Sequence, residues 1–348
     1  KYIDLIDQTF NFPQEEFTLN TNQLNFHGID LMALIQQYGS PLKFTYLPKI
    51  SDNINRAKGW FADAFKKHNY GGKYHYCYCT KSAHFKHILN TALENDIHIE
   101  TSSAFDLDIV VNLKAKGKIT DNTYIISNGF KRDQYVQNLA RLLNTGHKNC
   151  IVVIDNYEEI KLFDQVVDGN YNVGIRIASE EEPKFEFYTS RLGIGYKNIM
   201  PFYHSEIKNN PKVTLKMLHF FINTGIRDTA YYWNELLKCM KVYVQLKKEC
   251  PSLDSLNIGG GFPIKNSLAF EYDYSYMVSE IIGQIKQVCN ENNIDVPNIF
   301  TEFGSFTVGE SGGALYEVLY QKQQNDREKW NMINSSFITT LPDSWAIN

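Results

Sequence analysis

The sequence lacks any apolar run approaching the roughly 20 residues that a membrane-spanning helix requires. Its opening residues, Lys1-Tyr2-Ile3-Asp4, also contain no signal-peptide hydrophobic region. Only six cysteines occur among 348 residues and none is at CxxC spacing. That argues against a disulfide framework and against a structural zinc site, so reduced thiols and no metal are expected. A basic block is absent too, with 35 Lys+Arg scattered among 39 Asp+Glu for a formal charge of -4. Nucleic acid is therefore not expected as the main partner, and neither is a membrane. These absences predict a soluble, cytoplasmic protein. The chain starts without Met and ends on Pro342-Asp343-Ser344-Trp345-Ala346-Ile347-Asn348, so a trimmed sequence is expected at both ends.

What is present is a large capacity for burial, with 43% hydrophobic and 14% aromatic residues. From about residue 74, short apolar runs alternate with stretches of helical period. The runs are Tyr74 to Thr80, Ile97 to Glu100, Thr123 to Ser127, Cys150 to Asp155, Val173 to Ala178, Thr214 to Ile222, Ser255 to Ile258 and Asn298 to Glu302. Runs such as Ile151-Val152-Val153-Ile154 are what parallel strands buried on both faces require. Eight such units predict an α/β fold, a (β/α)8 TIM-type barrel over residues 41–313. Cys77 and Cys79 alternate on one strand and are read as core. Between Thr229 and Lys248 a stripe of Trp233, Leu236, Leu237, Met240, Tyr243 and Leu246 is read as core as well. A helix over Asp30 to Tyr38, a Gly39-Ser40-Pro41 turn and a strand Leu42 to Tyr46 come before the barrel, and a strand Ala314 to Tyr320 leaves it. Residues 1–40 and 314–348 thus predict a second, mostly β domain, built from both chain ends and incomplete at the C-terminus.

In such barrels the active site lies at the C-terminal ends of the strands. Here those ends carry Lys81, Glu100-Thr101-Ser102, Asn128-Gly129, Asp155-Asn156, Arg176, Asn223-Thr224-Gly225, Gly259-Gly260-Gly261 and Glu302. Three of these have the chemistry of a pyridoxal phosphate site. A partly desolvated Lys81 has a lowered pKa and an amine free for a Schiff base, the alternative being a surface lysine at a strand end. The glycines suit a phosphate nest, or else a tight turn. Glu302 suits a partner for the pyridine nitrogen, although alone it says little.

In order and spacing these segments resemble the pyridoxal-phosphate decarboxylases of the alanine-racemase-like fold, which act on arginine, ornithine and diaminopimelate. Gly28-Ile29-Asp30-Leu31 and Tyr38-Gly39-Ser40-Pro41-Leu42 resemble the family's opening helix and turn. Tyr78-Cys79-Thr80-Lys81-Ser82-Ala83 resembles its Schiff-base segment. Ile258-Gly259-Gly260-Gly261-Phe262-Pro263 resembles its phosphate turn, and Glu302-Phe303-Gly304-Ser305 its Glu-Pro-Gly-Arg segment. Asn128-Gly129-Phe130-Lys131 and Leu341-Pro342-Asp343-Ser344-Trp345 look closest to biosynthetic-type arginine decarboxylases. The resemblance implies Lys81 as cofactor lysine, with Gly259, Gly260, Gly261, Thr224, Gly304 and Ser305 at the phosphate and Glu302 at the pyridine nitrogen. Glu100 and Arg176 line the cofactor floor in relatives, as an ion pair there or as a buried structural pair. Asp343 falls where an acidic residue meets the distal cation of the substrate, or is a turn aspartate after Pro342. A homodimer with shared sites is implied.

Three departures stand beside the matches. Ser305 replaces the family's phosphate arginine and Phe221 its ring-stacking histidine, while a C-terminal Cys-Asp-Ser-Asp segment is missing. The expected function is decarboxylation of arginine to agmatine, in polyamine biosynthesis. The alternatives are a decarboxylase of ornithine, diaminopimelate or a carboxy-polyamine, a non-catalytic cofactor-binding homologue, and a phosphate-binding barrel with unrelated chemistry.

Overall fold

A computed structural model describes residues 16–20, 23–180, 190–265 and 270–340. The chain divides into two compact units. Of the described residues, the larger takes those within Leu47–Ile264 and Tyr272–Val308, and the smaller takes those up to Tyr46, Lys265, Phe270 and Glu271, and those from Gly309 onward.

The larger unit is a closed barrel of eight parallel strands. They are β1 (Tyr74–Cys79), β2 (His98–Thr101), β3 (Ile125–Ser127), β4 (Cys150–Ile154), β5 (Tyr171–Ala178), β6 (Val213–His219), β7 (Ser255–Asn257) and β8 (Asn298–Phe303). Each pairs with the next in sequence, β8 pairs with β1, and β4 with β5, so the sheet has no free edge. Every residue of Cys150–Ile154 is buried, as a strand covered on both faces demands. Cys77, Ile126, Ile151, Val153, Met217 and Phe300 form one apolar cluster of inward-facing side chains, and a second cluster joins the outward faces of the strands to the helices. All six cysteines are free and buried.

The helices follow from period and capping. Leu47–Lys67 buries Ile50, Ile54, Ala57, Phe61 and Ala64, steps of three and four that keep one face inward. Ala230–Glu249 starts where the Thr229 hydroxyl accepts the Tyr232 N–H at 3.1 Å. Its Leu236, Met240, Tyr243 and Leu246 are buried as the periodicity predicts, whereas Leu237 is 39% exposed. Among the described residues no helix is long and apolar enough to cross a membrane.

The smaller unit contains an antiparallel three-stranded sheet (Phe17–Asn20, Gln23–Phe26, Ile29–Asp30) and the helix Leu31–Tyr38, capped by the Asp30 carboxylate. Leu42–Thr45 pairs antiparallel with Gly312–Leu315. The expected strand Ala314 to Tyr320 is split, because Val318–Gln323 turns away to form a hairpin with Lys329–Ile333.

Candidate active site

The C-terminal ends of the barrel strands surround a cavity of about 970 Å³. Lys81 lines it from the short turn Thr80–Ser82 that follows β1. Two bonds fasten this turn: the Thr80 hydroxyl donates to the Glu100 carbonyl at 3.1 Å, and the Tyr78 hydroxyl to the Ala83 carbonyl at 2.7 Å. Lys81 Nζ stands 3.5 Å from Oε2 of Glu100, whose side chain is wholly buried while that of Lys81 is 59% exposed.

Burial pushes the Lys81 ammonium down, but the carboxylates of Glu100 and Glu302 outweigh it and hold the group above its ordinary value. The desolvated, low-pKa lysine expected from sequence is corrected by the glutamate that the neighbouring strand brings. Burial, together with the nearby Glu302 charge, raises the Glu100 carboxyl.

Glu302, near the end of β8, is the most heavily coordinated group in the site. Its Oε1 accepts Asn128 Nδ2 at 2.8 Å and Asn257 Nδ2 at 2.6 Å, and its Oε2 accepts His219 Nε2 at 3.2 Å. Asn128 Nδ2 also donates to Glu100 Oε1 at 3.0 Å, so one amide bridges two buried carboxylates. Burial alone would raise Glu302, yet the attraction and hydrogen bond of the His219 ring and the Asn128 bond bring it below the ordinary carboxylate range.

The expected ion pair between Arg176 and Glu100 is not formed. Arg176, on β5, makes no ion pair among the described residues and holds its guanidinium carbon 5.6 Å from the centre of the Phe221 ring. Glu100 faces Lys81 on the adjoining strand instead.

In the glycine turn Gly260 and Gly261 line the cavity, and Gly259 lies behind them with its N–H donating to Asn257 Oδ1 at 2.9 Å. A Cβ on Gly260 would fall 2.0 Å from the Glu302 carbonyl oxygen. One on Gly261, whose φ is +103°, would fall 2.6 Å from Gly225 Cα. Packing against the ends of β8 and β6 therefore demands glycine at both positions. It also leaves the N–H groups of Gly260 and Gly261 without an acceptor among the described residues. Gly304 and Ser305 line the same cavity. Thr224 does not; Asn223 takes that place, at the corner of a turn closed by Gly225 N–H to the Ile222 carbonyl at 3.1 Å. Asp343 lies outside the described residues.

Three residues that hold the site were not singled out individually from sequence. Asn128 stood only within a strand-end motif, and His219 and Asn257 only inside the apolar runs Thr214 to Ile222 and Ser255 to Ile258. The signal for His219 was available, because it lies two residues before Phe221 and both line the cavity. Arg191, in the loop after β5, lines the cavity too. Lys81, Arg176 and Arg191 thus share the cavity lining with Glu302, a balance that suits a ligand carrying anionic groups and one cationic N–H. Unpartnered buried polar atoms, Arg176 Nε, Asn128 Oδ1 and His219 Nδ1, belong to residues of this lining. A lysine amine, two free amide donors and an anionic carboxylate around one cavity fit pyridoxal phosphate.

Residues 52–309 match the family described as pyridoxal-dependent decarboxylase, pyridoxal binding domain. The biosynthetic arginine decarboxylase of Prochlorococcus marinus (strain MIT 9215) is 25% identical over 343 residues, covering 90% of this chain and 52% of that protein. The chain therefore spans about half the length of the curated relatives it matches. Among solved structures, the biosynthetic arginine decarboxylase SpeA from Campylobacter jejuni superposes with a TM-score of 0.74 at 19% identity, over 90% of this chain and 54% of that one. Diaminopimelate decarboxylase from M. jannaschii superposes with a TM-score of 0.77 at 19% identity, over 93% and 74%. The matched stretch takes in the whole barrel with its lysine, glycine turn and glutamate, and by it this chain belongs to the pyridoxal-dependent decarboxylases.

Proposed function

We propose that this chain binds pyridoxal phosphate and decarboxylates a basic amino acid, arginine first, to agmatine and CO2. The observation that carries the reading is the placement of Lys81, the free N–H groups of Gly260 and Gly261, and Glu302 around one cavity. Arginine is favoured over ornithine, lysine or diaminopimelate by the names of the curated relatives. When bound, the cofactor supplies a carbon that takes the substrate amine and a protonated ring that draws electrons from Cα as CO2 leaves.

The residues divide the remaining work. Lys81 presents its amine, and Glu100 Oε2, 3.5 Å away and raised by burial, takes the proton that the ammonium must lose before Nζ acts as a nucleophile. Gly260, Gly261, Asn223 and Ser305 give neutral donors to a phosphate, where a guanidinium would have added charge. Glu302 accepts a cationic N–H, and Phe221 offers an apolar ring face in place of a titratable one. We assign the distal cation of the substrate to Asp343, shared sites to a homodimer, and the place of action to the cytoplasm.

Ser305 and Phe221 favour a second reading, a homologue that binds the cofactor without turnover. Absorbance of the protein with pyridoxal phosphate, compared with Lys81→Ala, followed by arginine addition and CO2 capture, decides between them. A Lys81-dependent band that responds to arginine with CO2 release supports the decarboxylase. A Lys81-dependent band with no CO2 from arginine, ornithine, lysine or diaminopimelate supports the silent homologue, and no band in folded protein refutes both.

A further inference from the structure

We propose that His219 and Asn257 are positioning residues that hold Glu302 as an aimed anion, leaving one lone pair of its Oε2 to receive the cationic N–H of the ligand. This inference rests on the cavity being a pyridoxal phosphate site.

The count of hydrogen bonds carries it. A carboxylate has about four lone-pair sites, two on each oxygen. Oε1 of Glu302 is filled by Asn128 Nδ2 at 2.8 Å and Asn257 Nδ2 at 2.6 Å. Oε2 receives only His219 Nε2, at 3.2 Å, among the described residues. The orientations of both amides are fixed by chemistry. Asn128 turns its nitrogen to two carboxylates, and Asn257 turns its nitrogen to Glu302 while its oxygen receives the Gly259 N–H at 2.9 Å. A flip of either would set oxygen against oxygen.

Asn257 does more than fill a lone pair. It ties Glu302 to the glycine turn, and the Glu302 N–H donating to the Gly259 carbonyl at 2.8 Å closes the same unit. The acceptor for a cationic N–H and the donors for a phosphate therefore move together, so a ligand carrying both groups meets them in one register. His219 is the one donor of the three that is a ring nitrogen rather than an amide. The ionisable groups around Glu302 are His219 on β6, Glu100 on β2, Lys81 after β1 and Arg176 on β5. Of these only His219 touches Oε2.

The test uses the whole chain loaded with pyridoxal phosphate, in wild type, His219→Leu, His219→Gln and Asn257→Leu. Borohydride reduction and mass spectrometry establish attachment at Lys81, and absorbance across pH reads the protonation of the bound ring. His219→Leu is expected to stay attached and to shift the ring's midpoint by about one pH unit, with kcat falling more than KM rises. His219→Gln, which keeps an N–H donor, is expected to restore most of both. Asn257→Leu is expected to weaken pyridoxal phosphate about tenfold but to change binding of phosphate-free pyridoxal less, since it breaks the link between the two ends. If a leucine variant fails to fold, His219→Gln against the shorter His219→Asn decides the same point. A His219→Leu profile that overlays wild type overturns this inference alone. Wild-type protein that takes no cofactor at Lys81 overturns the proposed function with it.

Discussion

Lys131 is wholly inside the barrel unit, 2% exposed, yet it carries an ammonium group. Its Nζ donates to the carbonyls of Gly129 at 2.8 Å and Val153 at 2.5 Å and to Glu159 Oε2 at 3.1 Å. Burial pushes the ammonium down and the Glu159 carboxyl up, and each is held by the other. Lys131→Met keeps an apolar stem one atom shorter than lysine and removes the charge and its three bonds. Breaking a buried ion pair from one side costs about 3–5 kcal/mol, because the remaining charge has no partner. Glu159 would keep the N–H groups of Lys131 at 3.2 Å and Asp155 at 3.0 Å and the Asn156 amide at 3.1 Å, which places the loss at the lower end. Adding Glu159→Gln removes the stranded charge, so the double variant should lie only about 1–2 kcal/mol below wild type. Urea unfolding followed by far-UV circular dichroism, at constant m, measures both differences. The pair also fixes the turn that carries Asn128 and the positive-φ Gly129, so the single variant should weaken pyridoxal phosphate binding as well. A Lys131→Met protein within 1 kcal/mol of wild type, on the scale by which surface changes are usually judged, would refute the reasoning. So would a double variant less stable than the single one.

Three further outcomes follow from other parts of the molecule. Gly260→Ala puts a methyl 2.0 Å from a backbone oxygen that has no rotamer by which to retreat. It should abolish pyridoxal phosphate binding in an absorbance titration, and wild-type affinity would contradict the packing argument. At the other end of the barrel the Tyr124 N–H donates to His98 Nδ1 at 3.1 Å, and His98 Nε2 contacts His75 Nδ1 at 2.9 Å. Burial, aided by Lys73, brings His75 down to about 4; burial and His75 bring His98 down to about 3. The unfolded chain binds protons that these folded rings refuse, so stability is full above about pH 6.5 and falls as pH drops toward 4, by up to about 1.4 kcal/mol per unit per ring. His75→Phe should flatten that slope in urea midpoints taken from pH 7 to pH 4.5, and an unchanged slope would assign acid loss elsewhere. The hairpin Val318–Gln323 with Lys329–Ile333 leaves Leu319 61% and Trp330 56% exposed. Leu319→Lys with Trp330→Lys should lower self-association in light scattering, and scattering equal to wild type would clear the hairpin of that role.

The sequence by itself determined the barrel and most of its mouth. Eight apolar runs at regular spacing admit little else, because a strand such as Ile151 to Ile154 buries both faces only inside a sheet covered by helices. Since barrel sites lie at the C-terminal strand ends, Lys81, Gly260, Gly261, Arg176 and Glu302 could be named before any coordinates. The tertiary structure decided how those residues answer one another. The pairing of β1 with β2 set Glu100 against Lys81, and so reversed the expected direction of the lysine's pKa. Barrel closure also brought Asn128, His219 and Asn257 from three different strands onto one carboxylate. Periodicity reports which face a residue takes, whereas a hydrogen bond between residues such as Asn257 and Glu302, 45 positions apart, depends on distances that only the closed barrel fixes.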